Sequence, residues 1–169
     1  MTVSLTEDCA SCAALCCLAL AFDRGESFAI DKPAGVPCPN LSPVGHGCSI
    51  HDRLHQEGFS GCVRYSCTGA GQRVVQELFA GWSWRDDPAL VAPMMQAFRG
   101  MRAMQERLTI LTAAKNLKLS EVDAARCEAL MSRLMPGEID RQEVADFPGS
   151  ALQSEIDTFV SGLRSYVTG

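Results

Sequence analysis

Eight cysteines crowded between Cys9 and Cys67 constrain this chain more than any other feature. They open as Cys9-Ala-Ser-Cys12, continue through the neighbours Cys16 and Cys17, and end with Cys38, Cys48, Cys62 and Cys67. A Cys-x2-Cys spacing lets two thiolates reach one ion from a single turn, and thiolates are the soft ligands that zinc and iron–sulfur clusters prefer. A closed zinc site and an iron–sulfur cluster each take about four protein ligands, so the eight thiols suffice for one site with spares or for two. In extended chain, adjacent side chains point to opposite faces, so Cys16 and Cys17 are expected to serve different ions.

The ninth cysteine, Cys127, stands apart on a helical stripe with Leu130, Met131 and Leu134, where a buried thiol packs as a small hydrophobe. His46, His51 and His55 fall inside the cysteine-rich stretch and are further possible ligands. With eight thiols at hand none is required, and as polar residues they are expected mainly at the surface. No Gly-x-Ser-x-Gly or His-Glu-x-x-His occurs, and Gly69-Ala-Gly71 lacks the third glycine of a dinucleotide loop. The sequence therefore offers no catalytic acid, base or nucleophile.

Composition narrows the partners. A net charge of −5 is spread over both halves, −2 over residues 1–73 and −3 over residues 74–169, with no basic stripe for nucleic acid. No apolar run approaches the roughly 18 residues a membrane span needs. The run Cys12–Phe22 has no Lys or Arg before it, unlike a secretory leader. The expected compartment is the cytoplasm, where clustered thiols more often bind metal than form disulfides.

The chain divides by character near residues 70–73. Over residues 1–73, Leu18, Leu20 and Phe22 alternate with alanines and predict a strand, with Ser27–Ile30 returning as a β-hairpin. Residues 31–48 hold seven prolines and glycines and read as an irregular loop anchored by Cys38 and Cys48. Ile50–Gln56 allows a short helix that Gly58 stops.

Residues 74–169 predict four amphipathic helices. The first carries Val74, Val75, Leu78, Phe79 and Trp82. The second starts at Asp87-Pro88 and buries Val91, Met94, Met95, Phe98, Met101, Leu108 and Leu111, with Pro93 and Gly100 threatening its start and straightness. Its methionines, with Met104, are core residues or an adaptable surface for a protein partner. The third runs from Ser120, with Asp123 three residues on, to Met135. The fourth runs from Ser150, with Gln153 three residues on, and buries Leu152, Ile156, Phe159, Val160, Leu163 and Val167. The expected fold is α+β, mainly α: a cysteine-rich module over residues 1–73 against a helical bundle over residues 74–169.

The order Cys-x2-Cys-x3-Cys-Cys, then Cys38-Pro-Asn-Leu, Gly47-Cys48-Ser-Ile-His and Gly61-Cys62, resembles the YkgJ-like zinc- or iron-chelating bacterial domains. The first cluster is one residue longer than in that group, and His51 stands where the group often has Tyr. Gly58-Phe-Ser-Gly61 replaces its usual Arg-Pro. A further likeness is to the N-terminal region of certain bacterial pentapeptide-repeat proteins. It is carried by Phe28-Ala-Ile-Asp-Lys-Pro-Ala-Gly, Cys38-Pro-Asn-Leu, Ile50-His-Asp-Arg-Leu, Gly58-Phe, Gly61-Cys and Cys67-x-Gly-Ala-Gly-Gln. The repeats themselves are absent. Both resemblances imply metal chelation, and neither implies a reaction. The expected function is a metal-binding protein holding zinc or an iron–sulfur cluster. The alternatives are an iron–sulfur redox or accessory enzyme and a metal-free thiol redox switch.

Overall fold

The computed structural model describes residues 3–45 and 47–167, so His46 lies outside the described residues. The chain is mainly helical. Helices α1 (Leu15–Ala19), α2 (Ser60–Arg64) and α3 (Ala70–Arg73) precede α4 (Val91–Ala114), α5 (Glu121–Leu134), α6 (Arg141–Asp146) and α7 (Ala151–Gly162). Among the described residues, β structure is limited to two isolated antiparallel bridges, Phe22 with Lys32 and Leu41 with Cys48.

Helix α4 is the axis, and α1, α3, α5, α6 and α7 all pack on it. Its start follows the sequence signal: the Asp87 side chain accepts from the Ala89 N–H at 2.9 Å, and Pro88 opens a 3-10 turn that leads into the helix. Pro93 falls in the first turn of α4, where a missing N–H leaves no intrahelical bond unmade. Gly100 does not bend the helix. A Cβ there would land inside the Val144 carbonyl, so the glycine is what admits α6 against α4. Of the methionines considered as a partner surface, Met94, Met101 and Met104 are buried in the core, and Met95 is half-buried against it.

The last two long helices begin as their caps dictate. Ser120 accepts from the Asp123 N–H, and Ser150 from the Gln153 N–H, both at 3.1 Å. Cys127, Leu130 and Leu134 are buried on α5, and the Cys127 thiol donates to the Leu111 carbonyl. Val167 departs from the expected stripe. The chain tightens into a 3-10 turn at Leu163–Tyr166, which rotates Val167 off the apolar face and leaves it 69% exposed.

The first expected helix of this half also ends early. Helix α3 widens into a π turn over Val74–Leu78, closed by the Phe79 N–H on the Val74 carbonyl at 3.2 Å. Ala80 and Gly81 then take left-handed φ of 52° and 84°, and Trp82 is 61% exposed instead of buried. Arg141 seals this turn: it donates to the Leu78 carbonyl at 2.7 Å and lies 4.0 Å from the Phe79 ring.

The expected hairpin is corrected more deeply. Leu18 lies in helix α1, not in a strand, and only Phe22 and Lys32 pair. The reason is the entry to α1, where Ala13 and Ala14 both adopt left-handed φ, 51° and 55°. Such a conformation costs an L-residue about 1–2 kcal/mol, so tertiary contacts must impose it. Trp84 supplies one: its indole N–H donates to the Ala13 carbonyl at 2.8 Å. The turn aims Leu15 and Leu18 into the core beside α4, where both are fully buried.

One continuous core runs from Ala13, Leu15 and Leu18 through the helices to Leu163. Residues 20–66 contribute nothing buried to it. Their described buried side chains are Phe22, Cys38, Phe59 and the polar Lys32, all outside that cluster. This stretch is held by backbone and side-chain hydrogen bonds, by the partly buried Tyr65 against the core, and by a stack of Phe22 on Phe28 with ring centroids 4.4 Å apart. Among the described residues, no helix is long and apolar enough to cross a membrane.

Candidate metal centre

The thiols reach their places by several routes. Asp8 caps a 3-10 turn over Cys9–Ser11, accepting from the Ala10 N–H at 3.1 Å and the Ser11 hydroxyl at 2.7 Å. The backbone then passes through the two left-handed alanines into α1, which carries Cys16 and Cys17. Cys12 Sγ rests on Gly71, where an added Cβ would lie 2.7 Å from the sulfur. Cys67 sits just before α3, its carbonyl accepting from the Ala70 N–H at 3.0 Å. Gln72 and Gln76 bind the N-terminal stretch to α3 through Thr6, Asp8 and Ser11.

On the other side, the Cys38 N–H donates to the Cys17 carbonyl at 3.0 Å, tying the proline-rich loop to α1. The bridge of Leu41 with Cys48 brings Cys48 back beside Cys38. Cys62 rides on α2, whose Gly61 lies beneath the Phe28 ring.

These positions make the thiols feel one another. Cys9 and Cys12 share a neighbourhood with Cys16 and Cys67, while Cys38 and Cys62 share one with Cys16 and Cys48. Cys16 is common to both. Burial pushes the Cys12 thiol up to about 12 and the Cys62 thiol up to about 11, from an ordinary value of 9.0. Burial also raises Cys9 and Cys38. The hydrogen bond between the Cys16 and Cys17 side chains, then burial, raises Cys16 further. Two backbone N–H groups work the other way, Leu15 on the Cys12 sulfur and Asn40 on the Cys38 sulfur, as groups that favour a thiolate do.

Proximity is not yet coordination. Among the described residues, no three of His, Cys, Asp or Glu compose a group that could hold one metal ion. Nor does the expectation that Cys16 and Cys17 face opposite ways survive. They lie within α1, where adjacent side chains diverge by about 100°, and their thiols contact each other. His51 and His55 are exposed: the segment after Ile50 is a 3-10 turn over His51–Arg53 followed by further turns, not a regular helix. Cys127 is remote from the group and buried on α5.

One participant carried no sequence signal beyond being the sole lysine before residue 115. Lys32 is only 3% exposed. Its ammonium donates to the carbonyls of Val36 at 2.8 Å, Pro33 at 3.1 Å and Leu18 at 3.4 Å. It lies 5.0 Å from the Phe22 ring centre, and the ionisable groups that act on it are Cys38, Cys17 and Cys16.

Comparison with known proteins adds a relative without adding a role. No family model matches the chain, and no solved structure matches it. It is similar to the uncharacterized protein YybG of Bacillus subtilis (strain 168), with 39% identity over 117 residues, or 69% of this chain. The chain spans 42% of that relative's length.

Proposed function

We propose that this protein binds zinc or an iron–sulfur cluster through thiolates of the group Cys9, Cys12, Cys16, Cys17, Cys38, Cys48, Cys62 and Cys67. The observation that carries the reading is the poverty of residues 20–66 in buried apolar side chains. A segment this poorly cored needs another source of stability, and in small domains a bound metal supplies it as folding free energy. The donor chemistry fits, since clustered thiols suit zinc and iron alike. Burial raises both Cys12 and Cys38, and the N–H groups of Leu15 and Asn40 offset part of that rise. When bound, the ion or cluster would supply the cross-link that joins α1, the 38–48 loop, α2 and the start of α3. On this reading the cysteine-rich stretch is a module whose order depends on its occupant.

A metal-free redox switch is the weaker reading. The thiolate is the reactive species, and burial at Cys12 and Cys62, with the Cys17 hydrogen bond and then burial at Cys16, keeps those thiols protonated and slow at neutral pH. The two readings separate in elemental analysis and a visible spectrum of anaerobically purified protein. Metal binding predicts at least about one zinc per chain and no colour, or iron with a broad absorption band. Metal-free protein that takes up neither zinc nor iron on reconstitution contradicts it.

A further inference from the structure

A groove of about 700 Å³ opens between the N-terminal stretch at Val3 and Ser4, α3 with its π turn, and the 135–139 connection from α5 to α6. Small-ligand sites commonly span about 300–1,000 Å³. No cysteine lines this one.

Arg73 lines the groove although it is only 6% exposed. A guanidinium carries five N–H groups. Its Nε–H and one Nη2–H go to the Glu77 carboxylate, and one Nη1–H reaches the fully buried Gln105 at 3.5 Å. That leaves one N–H on each Nη without an acceptor among the described residues. Gln76 offers the complement. Its Nε2 donates to the Ser11 carbonyl, while its Oε1 accepts from no described group. Spare donors beside a spare acceptor match the carbonyl and N–H of peptide backbone.

The same helices already read peptide backbone. Gln72 donates to the Thr6 carbonyl at 2.7 Å and accepts from the Asp8 N–H at 3.1 Å, and Gln105 donates to the Ser4 carbonyl at 3.3 Å. The groove borders this run.

Charge narrows the occupant further. Glu77 already balances Arg73, and the exposed Glu138 belongs to none of the described ion pairs. An anion entering here would meet two carboxylates, and like charges brought together are penalised. A neutral carbonyl therefore suits Arg73, and a cation suits Glu138. Met135 and Ile139, both half-buried against the core, supply an apolar wall.

We propose that this groove binds a partner peptide carrying a lysine or arginine between aliphatic residues. A backbone carbonyl of the peptide sits on Arg73, a backbone N–H on Gln76 and the basic side chain at Glu138. The inference is independent of metal binding.

The probes are two fluorescein-labelled peptides, Ala-Val-Lys-Val-Ala-amide and Ala-Val-Glu-Val-Ala-amide, titrated with the full chain and read by anisotropy. The lysine peptide should bind at least about fivefold more tightly, as attraction at an exposed charge is exchanged for repulsion. Glu138→Lys, at an exposed position, should cancel or reverse that order. Gln76→Ala should weaken both peptides by about threefold or more. Amide shifts on binding should gather at residues 72–77 and 135–139. Equal affinity for the two peptides, an order that survives Glu138→Lys, binding undiminished by Gln76→Ala, or shifts gathered elsewhere would overturn the proposal. So would the absence of saturable binding of either peptide at about 1 mM.

Discussion

The Cys38 amide donates to the Cys17 carbonyl at 3.0 Å, so two cysteines far apart in sequence are joined through their backbones. Backbone and side chain of Cys38 thus have separable duties. Cys38→Ser keeps the amide bond and removes the sulfur, and should lower zinc affinity by at least roughly tenfold with little change in helical content. Cys127→Ala removes a fully buried thiol from α5 and should cost about 1 kcal/mol of stability without altering metal content. Competition titration and denaturant unfolding of the two variants check the contrast.

The raised thiols give metal-free protein a defined response to alkali. In the unfolded chain they ionise near 9.0, while in the folded protein Cys62 holds its proton to about 11 and Cys12 to about 12. Between these limits the folded state binds more protons than the unfolded one, so stability falls as pH rises. It should be fully present below pH 9 and decline steadily toward pH 12 in urea midpoints. Zinc-loaded protein should fail in the opposite direction. Protons compete with the ion for thiolates, so lowering the pH should release it.

Two glycines separate the core from the thiol group. Gly100→Ala drives a methyl into the Val144 carbonyl and should destabilise the protein by about 3 kcal/mol, because a helix backbone must retreat. Gly71→Ala meets the Cys12 sulfur instead, at 2.7 Å. It should cost about 1–3 kcal/mol and should also weaken zinc, an effect that Gly100→Ala corrected for stability should lack. Unfolding and metal competition on both variants distinguish the two sites.

The indole of Trp84 holds the strained entrance to α1 through the Ala13 carbonyl. Trp84→Phe leaves that carbonyl, on a buried residue, without its donor and should cost about 1–3 kcal/mol. Its amide-exchange signature should be concentrated at residues 9–17 rather than in α5 or α7.

What the sequence revealed, and what it hid, follows from the range of the forces involved. The starts of α4, α5 and α7 were legible because Asp87, Ser120 and Ser150 cap their own neighbours, a local event written in three or four residues. Cys127 was legible because a long helix repeats its apolar stripe several times. Helix α1 was not, since five residues offer too few turns to show a period, and Leu18, Leu20 and Phe22 alternate like a strand. Nothing in Ala13-Ala14 announces left-handed backbone, which a tryptophan 71 positions away helps to hold. Gly100 looked like a flaw in α4 until α6 was seen to need it. The crowding of eight cysteines into residues 9–67 was legible, but the burial of Lys32 was not, because carbonyls from three separate residues create its site.

The central claim is that an ion or cluster held by thiolates orders residues 20–66 in place of an apolar interior. Residue-resolved hydrogen exchange on metal-loaded and chelated protein tests it most directly. The account predicts that chelation collapses amide protection at Cys38, Leu41, Ser49, Phe59 and Cys62, whose N–H groups are bonded here, while α4, α5 and α7 keep theirs. Equal protection at those five amides with and without metal would contradict it.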